Sequence, residues 1–424
     1  MTVGGSTVVV VGAGYEGKKR IHAAVASLGV RLVIVDEPGH WSSCLVDEGI
    51  ADRWVAARVT GDTVLDAAEA VGALANAGVR PDAVLTFWED SICTAVRVAT
   101  ALGLPCNPPD AVESARSKVR MRERSAELGL PTPRARRVRS LDELYAASAH
   151  VGFPAVVKPE FGASAIGCVR VDTLEDLPSV YTLVRDVVTP EHDGIFRMGN
   201  DLLLEEYLDG VEFDVDLVMH RGTCVFSSVS QNWPTNEPSF QETGLHCPPD
   251  HDRKAVRKLV DLAITHAEGF GLHRGVLHIE GKCTSRGPRI VEINCRLGGG
   301  RIGEFVQRVW DVDLVEAQVR ASLDLPPNLR AARKPRCAIA NVFVQAPASG
   351  RLASAAVPMA PPPEATWWQI DSALDVGDEV VGPEAVFATV VADVNLAAKD
   401  VKTARGLAAQ VLAHPPSVDS SPGG

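Results

Sequence analysis

The sequence predicts an α/β domain followed by α+β structure, and three observations predict it. An apolar, β-branched run, Thr7 to Val11, ends in glycines, passes into a helical stretch and returns as a second apolar run. That β-α-β unit opens a doubly wound parallel sheet. After Pro105 the buried strands give way to charged helices and to glycine-bearing turns between strands. Further on, His278-Ile-Glu280 and Arg289-Ile-Val-Glu292-Ile-Asn294-Cys-Arg296 alternate polar and apolar side chains with the period of a strand.

The length of 424 residues allows about two to four domains and a large core. A net charge of -12 argues against a nucleic-acid-binding surface. The one basic cluster, Arg134-Ala-Arg136-Arg137-Val-Arg139, reads as a solvated linker. Nine cysteines without C-x-x-C spacing fit reduced thiols in the cytoplasm better than disulfides or zinc. The first residues lack the basic segment of a signal peptide, and no apolar run reaches membrane-spanning length. The expectation is a cytoplasmic protein with neither nucleic acid nor membrane as partner.

Taken in order, a helix over Lys18 to Leu28 separates the first strand from Arg31 to Val35, which ends at Asp36. Gly12-Ala-Gly14-Tyr-Glu-Gly17 with Asp36 has the spacing of a dinucleotide fingerprint. The same glycines serve any tight strand-to-helix turn, or a substrate carboxylate held at the helix N-terminus. Ala83 to Phe87 is a third buried strand, followed by a helix through Leu102. Trp88-Glu89 stands at its C-terminal end, where open α/β sheets bind ligands, so Glu89 is a candidate partner for a substrate ammonium.

A charged helix spans Ala111 to Leu128, carrying Lys118, and Leu130-Pro-Thr-Pro133 stops it. Ser140-x-x-Glu143 is a capping box for a helix over Leu141 to Ala149. The strand Phe153 to Pro159 presents Lys158, then comes the turn Gly162-Ala-Ser164-Ala-Ile-Gly167 and a strand over Cys168 to Val171. That turn suits a lid over phosphates and equally a plain hairpin loop. An apolar strand from Leu202 delivers Glu205 and Glu206, with Leu208 beyond, and an alternating strand begins at Glu212. An extended hinge there can read adenine and a carboxylate can hold ribose; surface acids around a turn fit as well. Past Arg333, strands are expected over Cys337 to Gln345, Gly350 to Ala353 and Val386 to Val394. A proline-rich loop over Pro358 to Pro363, a helix over Lys402 to Leu412 and a disordered tail from His414 complete the chain.

Side by side, the two acid-bearing strands would gather Glu280, Glu292, Asn294 and Arg296 in one place. Charges of one sign are not held together in a core unless a cation neutralises them. Oxygen-only ligands select a hard ion, Mg2+ where substrate phosphates complete the shell. The competing reading is an ordinary Glu292–Arg296 ion pair at a strand end. The run Gly298 to Gly300 favours the first, since its backbone N–H groups can converge on an anion.

In this order the segments resemble the ATP-grasp ligases, most specifically over Val112 to Phe305. The resemblance implies an N-terminal doubly wound domain (1–112), linker helices with a mobile lid (113–206) and an α+β catalytic core (207–331). A β-rich C-terminal subdomain (332–413) and a disordered tail (414–424) would follow. It implies that Lys118 and Lys158 contact nucleotide phosphates and that Gly162 to Gly167, with Ser164 among them, cover them; where many relatives have a glycine and a serine in succession, this chain has Ser164 and Ala165. Glu205, Glu206 and Leu208 would line the adenine pocket, Glu212 would take the ribose, and Glu280, Glu292 and Asn294 would hold Mg2+. The cofactors implied are ATP and two Mg2+ ions, with Mn2+ able to substitute.

Gln241-Glu242-Thr-Gly244-Leu-His246-Cys-Pro248 is similar to a substrate-side motif of the carboxylate–amine ligases, the branch of carnosine synthase and bacterial L-amino-acid ligases. That likeness puts Glu242, His246, Gly298 and Gly299 at the substrates and gives Arg296 the acyl phosphate and tetrahedral centre. It implies an ADP-forming ligase that joins a small carboxylate to an amine, commonly as a homodimer. The rival readings are a biotin-carboxylase-like ligase of another carboxylate, an NAD-dependent oxidoreductase, and a nucleotide-binding regulatory protein.

Overall fold

The computed structural model describes residues 3–354, 360–372, 374–383 and 387–419. Strands β1 (Thr7–Val11), β2 (Arg31–Asp36), β3 (Arg53–Ala56) and β4 (Ala83–Leu85) form a parallel sheet in the order β3-β2-β1-β4. Valine and isoleucine fill β1 and β2, as a sheet buried on both faces requires. The third predicted strand ends at Leu85, short of Phe87, because the Trp88 N–H donates back to Thr86 Oγ1 at 3.0 Å and turns the chain.

The expected single helix over Ala111 to Leu128 is two, Pro109–Arg116 and Lys118–Glu127. Ser117 between them is extended, and its hydroxyl caps the second helix by accepting the Arg120 N–H at 3.1 Å. The Lys118 N–H donates to the Glu160 carbonyl at 3.2 Å, so the break ties the start of the second helix to the lid while the lysine side chain reaches Glu292.

The lid is an antiparallel sheet, β5 (Ala135–Val138), β6 (Ala155–Pro159), β7 (Val169–Val171) and β8 (Leu202–Glu206), in the order β5-β8-β6-β7. With helices Leu141–Val151 and Leu177–Val187 it closes a core of its own around Val138, Leu144, Val157 and Leu204. The basic cluster is therefore not a solvated linker. It is largely β5, and Arg137 and Arg139 pair with Asp201 at 3.2 and 3.1 Å.

The remaining strands are β9 (Val211–His220), β10 (Thr223–Asn232), β11 (Gly244–Cys247), β12 (Gly275–Thr284), β13 (Gly287–Asn294), β14 (Ala338–Gln345), β15 (Gly350–Ser354), β16 (Trp367–Ser372), β17 (Glu379–Val380), β18 (Val390–Ala398) and β19 (Ser417–Asp419). Eight of them make one antiparallel sheet, β13-β12-β9-β10-β11-β14-β18-β16. Residue 331 thus does not separate two sheets, since β14 pairs with β11 and carries the core sheet into the C-terminal region. The expected strand Val386 to Val394 runs instead over Val390–Ala398, and residue 386 lies outside the described residues. Of the tail expected to be disordered from His414, Ser417–Asp419 pair with β15; residues 420–424 lie outside the described residues, as do 358 and 359 of the proline-rich loop.

Helices Ile302–Trp310 and Leu314–Ser322 join the halves. Phe305, Val309 and Val319 share one buried cluster with Val8 and Ile34 of the N-terminal sheet and Val276 and Ile339 of the large one. Among the described residues, no helix is long and apolar enough to cross a membrane.

Candidate active site

A cleft of about 910 Å3 lies between the lid and the large sheet. Lys118, Lys158, Gly162, Ser164, Glu205, Glu206, Leu208, Glu212, Glu242, Glu280 and Glu292 all line it. Residues spread over 175 positions of chain meet here because β12 and β13 form its floor and the lid its roof.

On the floor, Glu280 of β12 stands directly opposite Glu292 of β13, and His278 opposite Asn294. Lys118 reaches across from its helix to Glu292 Oε1 at 2.9 Å. Burial works against the Glu292 charge, and Lys118 overrides it, so the carboxyl sits below its ordinary range. Glu280 goes the other way: burial, with the negative Glu292 beside it, raises its pKa well above the usual value. Lys118 pairs with Glu292, and His278, 3.9 Å from Glu280, is itself held by Asp216 at 2.9 Å, so the facing carboxylates are short of positive charge.

Asn294 completes the set. Its neighbours orient the carboxamide so that Nδ2 donates to both Glu89 oxygens, at 3.0 and 3.3 Å, which leaves Oδ1 as an acceptor. Two carboxylates and a carboxamide oxygen are hard donors that fit Mg2+. Among the described residues no group of three or more His, Cys, Asp or Glu forms a self-sufficient metal cage. A Mg2+ site of one or two carboxylates completed by phosphates needs none.

On the roof, Glu205 accepts from Arg122 Nε at 2.6 Å and Nη2 at 3.1 Å, and from Lys158 Nζ at 2.6 Å. Burial pushes this carboxyl up, but the two cations override it and hold it at about 2. Burial pulls the Lys158 pKa down, with Glu205 opposing. Arg122 also donates to the carbonyls of Ile290 and Val291, at 3.1 and 2.7 Å, and so locks the floor to the roof. Glu206 is held by Arg134 and Arg286. Glu212 lies 3.5 Å from Lys282, whose Nζ also reaches the Leu208 carbonyl at 3.4 Å. Ser164 and Ala165 adopt left-handed backbone conformations, φ 52° and 57°, that L-residues rarely take. Gly167 stands outside the cleft lining, where a Cβ would meet Val188 at 2.9 Å.

Beyond the end of β13 the remaining predicted residues diverge. Arg296 pairs with Glu89 at 2.5 Å and donates to the Leu297 carbonyl at 2.7 Å. Glu89, offered by the sequence to a substrate ammonium, is buried between Arg296 and Arg116 (3.2 Å), so its charge is already matched. His246 is fully buried in β11, accepts the Trp233 indole N–H at 3.0 Å and lies 3.3 Å from Asp250. It does not reach the cleft. Gly298 packs on His278, where a Cβ would meet Nδ1 at 2.7 Å, and with Gly300 it lines a second opening beside Arg20 and Arg301. A Cβ on Gly299 would meet nothing within 4 Å.

Sequence reasoning passed over Asp214 and Asp216, although Glu212-Phe-Asp214-Val-Asp216 carries the same alternation that exposed β13. Asp214 lies opposite Glu280 and Asp216 opposite His278. Burial, then neighbouring acids, raises Asp214 to about 6 and Glu242 to about 7. Burial opposes the His278 charge, but Asp216 at 2.9 Å overrides it and lifts the imidazole to about 9.

The dinucleotide reading finds no room. Asp36 accepts the Ala13 N–H at 2.7 Å and the Glu37 N–H at 2.8 Å, and His40 lies 3.1 Å away. A Cβ on Gly12 would strike the Ser91 side chain and one on Gly14 the Trp88 ring, so the turn is packed from within.

Comparison with known proteins follows the same lines. The ATP-grasp domain model matches residues 151–304, and the ATP-grasp N-terminal domain model matches residues 21–106. Carnosine synthase 1 of Gallus gallus is 34% identical over 368 residues, 82% of this chain and 38% of that protein. Carnosine synthase 1 of Homo sapiens is 32% identical over 345 residues, 77% of this chain and 40% of that protein. The chain therefore spans about two fifths of the length of these relatives. The crystal structure of an L-amino acid ligase from Bacillus licheniformis superposes with a TM-score of 0.77 at 17% identity, covering 98% of this chain and 99% of that one.

Proposed function

The chain belongs to the ATP-grasp family, and from that premise we propose that it is an ADP-forming carboxylate–amine ligase joining two amino-acid-like substrates. The observation that carries this reading is the convergence of Lys118, Lys158, Glu280 and Glu292 on one cleft between lid and floor. The sequence likeness to carnosine synthase 1 supports amino acids as the substrate class.

A carboxylate is a poor acyl donor because oxide would have to leave. Transfer of the γ-phosphoryl group to it gives an acyl phosphate and ADP; an amine then attacks the carbonyl carbon and phosphate departs. Lys118 and Lys158 bind the phosphates, while Glu206 and Leu208 face the adenine and Glu212 the ribose. Glu205 works through the cations it holds, fixing Lys158 and Arg122 in place. Glu280, Glu292 and the Asn294 carboxamide oxygen would hold Mg2+, as two ions that Mn2+ can replace; bound there, it offsets charge on the β- and γ-phosphates. Fixed cations aimed where negative charge develops are the largest catalytic contribution in such sites. Arg296, steadied by Glu89, takes that part at the acyl phosphate and tetrahedral centre. Glu242 lies on the substrate side of the cleft. The lid strands and the loop from Gly162 to Gly167 exclude water that would hydrolyse the acyl phosphate. A cytoplasmic homodimer belongs to the same proposal.

The test is ADP release with Mg-ATP over a matrix of paired amino acids, with mass spectrometry of each mixture. A product lighter than its two parents by one water is expected from at least one pair. Arg296→Ala should keep ATP binding and lose about 3 kcal/mol of transition-state stabilisation, at least about a hundredfold in rate, by analogy with one lost oxyanion donor. Ligation by Arg296→Ala at the parent rate would refute the assignment.

A further inference from the structure

Lys18 is a buried cation without a counter-ion. It ends the short 3-10 turn Glu16–Lys18 that follows the glycine turn, and it is 4% exposed. Among the described residues its ammonium makes neither an ion pair within 4.0 Å nor a hydrogen bond. Its ammonium lies 5.8 Å from the ring centroids of both Tyr15 and Trp88, whose centroids are 5.9 Å apart at 63°. Gly14 makes this packing possible: a Cβ there would meet Trp88 at 2.8 Å and the Lys18 stem at 3.3 Å.

The charged and titratable groups that face Lys18 are Arg20 and His22 on the helix that follows (Lys19–Ser27), Arg296 after β13 and Glu89 after β4. Glu89, the one acid among them, is taken by Arg116 and Arg296. An ammonium at the end of so buried a side chain, with two aromatic rings near it and no anion paired to it, is undersatisfied. Burial first, then Arg296 and Arg20, lower its pKa to about 7. A bound carboxylate would meet that deficit.

Position along the site decides which carboxylate. Leaving the nucleotide cleft along β13, the chain passes Glu292, then Asn294 bound to Glu89, then Arg296, and Arg296 faces Lys18. The carboxylate that is phosphorylated must lie at the nucleotide end. A carboxylate at the far end, against the N-terminal domain, is one that keeps its charge through the reaction. Resting on the ligase reading above, we propose that Lys18, beside Tyr15 and Trp88, is the counter-ion of the free α-carboxylate of the amine substrate.

The test uses the full chain, with L-amino acids and their α-carboxamides as probes. Binding is measured by calorimetry in the presence of Mg2+ and a non-hydrolysable ATP analogue, and ligation by ADP release. The parent should favour the acid over its carboxamide at least tenfold. Lys18→Met should lose that preference while its affinity for the ATP analogue is unchanged. For the parent, acid binding should weaken about fivefold from pH 7 to pH 8 as a group with a pKa near 7 loses its proton. Lys18→Arg, which stays charged, should keep the preference and flatten that pH dependence. A Lys18→Met protein that retains the parent's preference overturns the proposal, and so does one that loses turnover alone, which would make Lys18 a proton acceptor. If no pair is ligated while amino-acid binding still depends on Lys18, the carboxylate site stands and the ligase reading falls.

Discussion

Glu205→Gln tests the central electrostatic claim about the roof of the cleft. The carboxylate neutralises Arg122 and Lys158 in a buried setting, and its pKa is held at about 2 against an ordinary 4.5. A depression of that size corresponds to about 3 kcal/mol of folded-state stabilisation, at 1.36 kcal/mol per unit. Removing one member of a buried pair independently suggests about 3–5 kcal/mol. The folded pKa is lowered, so the contribution is complete above pH 4.5 and disappears as pH falls through about 2. A chain of this size does not unfold in one step, so the readout is hydrogen exchange of the β6 and β8 amides, which reports local opening. At pH 7 the variant should open about 3 kcal/mol more easily there. Glu379→Gln is the control: Glu379 pairs with Arg351 at 3.2 Å on the surface, 81% and 64% exposed, where such pairs contribute about 0–1 kcal/mol. Mg-ATP should protect Glu205→Gln more than the parent, because phosphates replace the missing negative charge beside Lys158. A loss below about 1 kcal/mol would refute the reasoning, since the triad would then count for no more than a surface pair.

Three further outcomes follow from groups already described. The Glu280 pKa is raised by burial and by Glu292, so a bound divalent cation should drive its proton off. Mg-ATP binding measured by calorimetry in two buffers of different ionisation enthalpy should show proton release, and Glu280→Gln should remove it; equal release in both proteins would contradict the pairing. Asp36→Asn retains one acceptor yet loses the charge that holds the Ala13 and Glu37 N–H groups, and should destabilise the N-terminal domain by about 1–3 kcal/mol. NADH should neither bind the parent nor raise its melting temperature, and protection by NADH would restore the dinucleotide reading.

The floor of the site was legible as two acid-bearing strands, because alternation is a property of single strands. The bulge in their pairing was not. From the turn at Thr284 and Gly287, strict antiparallel counting pairs Gly281 with Ile290 and Lys282 with Arg289, as observed. Continued by one step, it would set Glu280 opposite Val291 and turn Glu292 to the other face. A bulge between Glu280 and Gly281 absorbs Val291 and brings the two carboxylates together. Gly281 sits at that irregularity, where a Cβ would meet Leu259 at 2.7 Å and the Arg289 carbonyl at 3.0 Å. The glycine was visible in the sequence, but only the helix Arg253–Phe270, which packs Leu259 onto the sheet, shows why it is needed. The break at Ser117 is of the same kind. Charged helical residues flank it on both sides, and what opens it is the contact of Ser117 and Lys118 with Glu160 of the lid. Asp214 and Asp216 differ, because their alternation with Glu212 was readable and needed no tertiary contact to find. The catalytic geometry therefore depends on a one-residue register change set by packing within the core and a one-residue helix break set by contact with the lid. Local propensity carries neither signal, which is why the gathering of Glu280 and Glu292 was expected from alternation while the bulge that lets them face each other was not.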